Sequence, residues 1–252
     1  MDPITLLIVC PLVFLAGLVD AIAGGGGLVS LTAYLIAGLP AHLALGTNKL
    51  SSAIGTLVAT VRMARGGYIK ARLAVPAAAG AIAGSAVGAK LALLTPEGVF
   101  QVLLVVALPV VAFAVLRKRA IDAPENAAIS PRRQYAIVAA VSLLIGCYDG
   151  FYGPGTGTFM LVAFTAAAKL PVRHASGEVK VANLASNTAA LITFFLHGAV
   201  LVGLGLVAAA FSIAGNYLGA GMVMKDGTKV VRPIIIVVLA MLFAKVVFDL
   251  AM

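Results

Sequence analysis

Two lysines stand where this chain can least accommodate them. Lys49 lies in Gly46-Thr47-Asn48-Lys49-Leu50-Ser51-Ser52 and Lys180 in Gly177-Glu178-Val179-Lys180-Val181-Ala182-Asn183, each inside a long stretch dominated by nonpolar residues. A charge in such surroundings is expensive and is kept where it binds, couples or pairs. Neutral hydrogen-bonding groups accompany each lysine, Asn48, Ser51 and Ser52 beside the first and Asn183, Ser186 and Asn187 beside the second. Upstream of each lies a glycine-rich break, Gly24-Gly25-Gly26-Gly27 and Gly153-Pro154-Gly155-Thr156-Gly157, with an aspartate four residues ahead of it, Asp20 and Asp149. Glycine lets backbone N–H groups approach a ligand closely, and a helix beginning after such a loop aims unpaired donors and its positive dipole end at it. Two ammonium groups and two sets of backbone donors make a chemistry suited to a small, oxygen-rich anion.

Each feature also has a plainer reading. The lysines could snorkel to an interface or pair locally, Lys180 with Glu178 and Lys49 with Asp20. Asp20 and Asp149 are either proton-coupling carboxylates or caps of a broken helix. Glu178 faces Thr47 at the equivalent place in the other half, which makes it either an asymmetric coupling group or a local partner for Lys180. The glycines could serve close helix packing, the role assigned to Gly84 and Gly88. His42, His174 and His197 show no metal-ligand spacing, and Cys10 and Cys147 sit in apolar runs with neither disulfide nor metal spacing. No organic cofactor or metal is implied.

The elements that position these residues are membrane helices. Of 252 residues, 62% are hydrophobic and only 11% charged, with a mean hydropathy of +1.10, which excludes an ordinary soluble domain. The net charge of +9 sits in short basic clusters between apolar runs, so it sets orientation and does not point to nucleic acid. The first apolar stretch, Ile4 to Ile22, has no basic residue before it and reads as a retained helix, not a cleaved signal. Apolar segments fall at about 4–22, 28–39, 43–63, 73–94 and 98–116, then at about 134–150, 157–170, 174–196, 200–223 and 232–250. A polar connector, 117–133, separates a first transmembrane repeat (1–116) from a second (134–252) and is assigned to the cytoplasm.

A shift of 131 positions pairs Pro40 with Pro171, Gly46 with Gly177, Lys49 with Lys180, Gly67 with Gly198, Gly84 with Gly215 and Gly88 with Gly219. Across positions 40–90, 15 of 51 ungapped pairs are identical, so the halves are structural repeats. Upstream the shift is 129, pairing Asp20 with Asp149 and Gly24 with Gly153. Basic residues cluster at Arg62 to Arg72, in the connector, and at Lys225 to Arg232, while the counterpart of the first cluster, His197 to Gly205, carries no charge. Placing all three basic loops on the inner side requires the short segments near 28–39 and 157–170 to cross, which gives each half five crossings and inverts one half relative to the other. Both termini then face outward. If the short segments are re-entrant, the halves instead have four crossings each and run parallel. The expected fold is therefore an all-α polytopic membrane protein of two inverted repeats, each with about five helical segments and one short glycine-interrupted segment.

Several strings then become familiar in their order. Asp20-x-x-x-Gly24-Gly25-Gly26-Gly27, Leu39-Pro40, Gly46-Thr47-Asn48-Lys49 and Gly66-Gly67-Tyr68-Ile69 are followed by Gly153-x-Gly155-x-Gly157, Leu170-Pro171 and His197-Gly198. The chain resembles, over essentially its whole length, the sulfite exporter TauE/SafE family of membrane transporters. The resemblance implies movement of sulfur-containing anions such as sulfite, sulfoacetate and related organosulfonates across the bacterial cytoplasmic membrane. Pro154 and Thr156 interrupt the fuller glycine run of that family in the second loop.

The expected activity is secondary transport of a small anion by alternating access, with binding near the midplane at the repeat interface. Gly24, Gly25, Gly26, Gly27, Asn48, Lys49, Ser51, Ser52, Gly153, Gly155, Thr156, Gly157, Lys180, Asn183 and Asn187 would hold the anion, and Asp20, Asp149 or Glu178 would couple protons. An uncoupled anion channel or uniporter would use the same cavity. An intramembrane enzyme would need a nucleophile–base or metal constellation, such as a His-Glu-x-x-His helix, and the sequence has none. The expected partners are the anion and the lipid bilayer, with room for a homo-oligomer and no role for nucleic acid.

Overall fold

A computed structural model describes residues 2–96 and 129–251, all of whose regular elements are helices. The expected fifth segment at 98–116 and most of the connector at 117–133 lie outside the described residues. In the first half, α1 is Pro3–Ala23, α2 Gly26–Ile36, α3 Ala41–Arg65 and α4 Ala71–Leu94; in the second, α5 is Pro131–Phe151, α6 Thr156–Ala166, α7 Val172–Leu196, α8 Val202–Asp226 and α9 Thr228–Ala251. Capping explains where several begin. Asp2 accepts a hydrogen bond from the Ile4 N–H ahead of Pro3, and Ser130 does the same for the Arg133 N–H ahead of Pro131. α5 therefore starts three residues earlier than the hydropathy suggested, because the cap, not the first apolar residue, sets its start. Pro40 and Pro171 precede α3 and α7 in matching extended conformations.

Five of the described helices, α1, α4, α5, α7 and α8, are long and apolar enough to cross a membrane. α3 has the length at 25 residues, but Lys49, Arg62, Arg65 and its many hydroxyl and amide groups lower its hydropathy. α2 and α6 have 11 residues each, about 16 Å of helix, half of a hydrocarbon core of about 30 Å. Exposure is inverted relative to a soluble protein. Leu144 is 71% exposed and Leu94 79%, while Lys180 is 2% exposed and Glu178 fully buried. Apolar side chains outside and ionisable ones inside suit a lipid solvent.

Small residues let the helices approach. A β-carbon on Gly84 or Gly88 would strike the backbone of Leu143 or Cys147 on α5, and one on Gly215 or Gly219 would strike Phe14 or Leu18 on α1. The same two repeat positions thus seat α4 on α5 and α8 on α1. These contacts also give direction. Residues 80, 84 and 88 meet 139, 143 and 147 in rising order, so α4 and α5 run parallel; Gly17 and Leu18 meet residues 212–219, so α1 and α8 do too. Leu50 meets Gly205, Gly55 meets Ser212 and Gly66 meets Met224, which makes α3 parallel to α8 and hence to α1. α3 and α7 are antiparallel: Lys49 bonds Asn187, whereas Thr60, further along α3, bonds the carbonyl of Lys180, earlier on α7. Gly88→Leu should cost about 1–3 kcal/mol or more by overpacking, read as lower thermal stability in detergent, whereas Val87→Leu on the exposed side of α4 should leave it unchanged.

Candidate functional site

The two glycine breaks abut. α1 ends at Gly24 in a left-handed turn (φ 76°) whose N–H donates to the Asp20 carbonyl at 2.8 Å, and α2 begins two residues later. Gly24 lies so close to Gly157 and Thr158 that no β-carbon fits there, and Thr158 Oγ1 donates to the Ala23 carbonyl at 2.7 Å, fastening the start of α6 to the end of α1. In the second break Thr156 Oγ1 donates to the Gly153 carbonyl at 2.6 Å and Tyr148 OH to that of Pro154 at 2.8 Å. Serine-type turns and glycine permissiveness replace regular helix here, buried in protein as irregular backbone at membrane depth must be.

Each lysine reaches across to the other half. Lys49 Nζ lies 3.0 Å from Asp149 Oδ1 and donates to Asn187 Oδ1 at 3.1 Å, while Ser186 Oγ donates to the second oxygen of Asp149. Lys180 Nζ lies 2.8 Å from Asp20 Oδ2 and donates to the Asp20 carbonyl at 2.5 Å. The repeat shifts match Lys49 to Lys180 and Asp20 to Asp149, so the two ion pairs are exchanged copies of one interaction. The local pairings entertained from the sequence, Lys49 with Asp20 and Lys180 with Glu178, do not occur. Neither ammonium stands alone in an electropositive hollow; each is neutralised by a carboxylate of the opposite repeat. Glu178 instead accepts the N–H of Lys70 at 2.7 Å.

Between these pairs is a narrow cavity of about 30 Å³, room for roughly one water. Of the residues proposed from sequence, Gly24, Gly26, Gly27, Asn48, Lys49, Ser52, Gly153, Thr156, Gly157, Asn183 and Asn187 line it together with Asp20 and Asp149. Gly25, Ser51, Gly155, Lys180 and Glu178 do not. Gly25 packs against Val238 of α9, Ser51 is taken up by Tyr34 OH at 2.9 Å, Gly155 caps α6, and Lys180 is turned to Asp20. Sequence reading missed Ser30, Thr56, Ser212 and Asn216, which also line the cavity. A signal existed for one of them: Thr56 is the repeat mate of Asn187. The Asn216 amide donates to the Ser212 carbonyl one turn back at 3.0 Å. No group of three or more His, Cys, Asp or Glu side chains suited to a metal occurs among the described residues.

The family model described as sulfite exporter TauE/SafE matches residues 9–246. The chain belongs to the sulfite exporter TauE/SafE family. Among TauE/SafE relatives, a probable membrane transporter protein ORF9 of Sinorhizobium is 34% identical over 94% of this chain and 90% of its own length. A probable membrane transporter protein of Haemophilus influenzae is 35% identical over 94% and 92%, and the probable membrane transporter protein YfcA of Escherichia coli K12 30% identical over 98% and 91%. No solved structure gives a significant match. Family membership and the spanning helices together make this a multi-pass membrane protein of a transporter family.

Proposed function

We propose that the chain is a secondary carrier of a small sulfur oxyanion or organosulfonate, of the sulfite or sulfoacetate kind, in the bacterial cytoplasmic membrane, working by alternating access between two inverted repeats. The antiparallel run of α3 and α7, which are repeat mates, supports the inversion. The shared direction of α1 and α3 supports the crossing of the short segments, since the chain between them has to return along the bundle. The observation that carries the reading is the pair of exchanged Lys–Asp contacts at the meeting of the two helix breaks.

Those contacts suggest how cargo would act. An anion entering between the repeats competes with Asp149 for Lys49 and with Asp20 for Lys180, so binding replaces the bonds that hold the halves together. Asn48, Asn183 and Asn187, with the backbone donors at the starts of α2 and α6, supply the remaining hydrogen bonds. A cavity of about 30 Å³ is too small for a sulfonate, so in this reading the halves part to admit cargo.

Thermal unfolding of the detergent-purified protein against sulfite, thiosulfate, sulfate, sulfoacetate and taurine tests the reading. At a hundredfold excess over its dissociation constant a true ligand adds about 2.7 kcal/mol, and at least one anion should raise the midpoint accordingly. Asn183→Leu should abolish that rise without lowering the midpoint of the free protein by a comparable amount. A panel with no stabilising anion would count against an anion carrier.

A further inference from the structure

Glu178 is fully buried, and only one of its two carboxylate oxygens is used. Oε1 accepts the N–H of Lys70, the residue preceding α4. In the other half Thr47 Oγ1 accepts the N–H of Leu201, the residue preceding α8, at 3.0 Å. The 131-residue shift maps Thr47 onto Glu178 and Lys70 onto Leu201, so the two bonds are the same cap at opposite ends of the duplication. A threonine is enough for that cap. The second oxygen of Glu178 is surplus to it, and Oε2 has no hydrogen-bond partner among the described residues.

The surroundings differ in the same way. Around Glu178 stand Tyr68 from the turn before α4, Lys70, and His174 one turn earlier on α7, whose ring meets that of Tyr68 edge-on at 5.8 Å and whose Nδ1 lies 3.2 Å from the Tyr68 carbonyl. The corresponding positions in the other half are Ala199, Leu201 and Leu43. Glu178, Tyr68, Lys70 and His174 therefore all have mates that do not titrate. Other charges nearby are engaged elsewhere: Lys180 with Asp20, and Arg173 with the Lys225 carbonyl at 2.9 Å, while Arg173, Asp226 and Lys229 line, with Tyr68 and His174, an open cavity of about 540 Å³. That cavity reaches Tyr68 and His174; Glu178 itself is buried and does not line it.

We propose that Glu178 is a proton-exchange site at one mouth of the carrier, a carboxyl that takes up and releases a proton through Oε2 while Oε1 keeps the cap. Proton uptake there converts carboxylate to carboxylic acid and changes no other bond. Opening on the Glu178 side then depends on proton concentration, and opening on the Thr47 side does not. The consequence for transport rests on the carrier reading above; the proton site itself does not.

Glu178→Gln keeps the capping acceptor, and Glu178→Thr copies the mate. Infrared difference spectra of the full-length protein between alkaline and mildly acid buffer should carry the carbonyl band of one buried carboxylic acid, deuterium-sensitive, and both variants should lack it. A wild-type spectrum without that band, or variants that keep it, would overturn the proposal. In proteoliposomes the ratio of sulfite flux with and without a pH gradient should fall from several-fold to about one in both variants. Variants with wild-type gradient dependence would also overturn it, whereas absence of any anion flux in the wild type together with a band lost on substitution would defeat the anion reading alone.

Discussion

Lys49→Met should lower the stability of the purified protein by about 3–5 kcal/mol, because it leaves Asp149 as an uncompensated buried carboxylate. Asp149 is 5% exposed and, among the described residues, keeps only the hydroxyl of Ser186. The double variant Lys49→Met with Asp149→Asn should recover most of that loss, since the charge is then gone from both sides and the amide can still bond Ser186. Thermal or denaturant unfolding in one detergent compares the three proteins directly. Stability and transport should separate here: the double variant should fold well and bind anion poorly, because the ammonium that the anion would capture is missing. A double variant no more stable than the single would show that the Lys49–Asp149 contact does not join the halves as described.

Gly24→Ala should be nearly as damaging, by a different route. The left-handed turn costs a β-carbon about 1–2 kcal/mol, and at Gly24 that carbon would also run into the backbone of Gly157, forcing the two breaks apart. Overpacking adds about 1–3 kcal/mol, and displacement of the breaks that line the cavity should reduce transport at least a hundredfold. Gly67 is the control. It has the same φ of 76° with nothing near its missing β-carbon, so Gly67→Ala should show the strain cost alone and retain transport. Equal losses in the two variants would mean that the abutment of the breaks is not what Gly24 serves.

Much of this fold can be read in the sequence because the duplication is written twice. Pro40 and Pro171, Gly84 and Gly215, Gly88 and Gly219 mark turns and close contacts whose geometric requirements leave few residue choices, so they survive in both copies. Hydropathy located all nine described helices, and erred where a cap governs the boundary, as at Ser130 and Pro131. Partnership was harder. Nothing in the spacing of Asp20, Asp149, Lys49 and Lys180 says that each lysine takes the distant aspartate; that depends on how α1 and α7, or α3 and α5, converge in space. The same limit hid Ser212 and Asn216, which lie on a helix with no charge near them and enter the cavity only because Gly17 and Gly55 let α8 come close. Glu178 shows the reverse case, a departure from the repeat visible in the sequence, whose capping role only the contact with Lys70 explains.

The proposed inversion of the halves carries the rest, and labelling from the two sides of the membrane tests it most directly. Arg65 is the last residue of α3 and His197 opens the turn after its repeat mate α7, and both are exposed. With Cys10 and Cys147 replaced by alanine, a cysteine introduced as His197→Cys should react with an impermeant maleimide on intact cells, and one introduced as Arg65→Cys only after permeabilisation. Reaction of both from the same face would mean two parallel copies, and the exchange of ion pairs across an inverted cavity could not be the basis of transport.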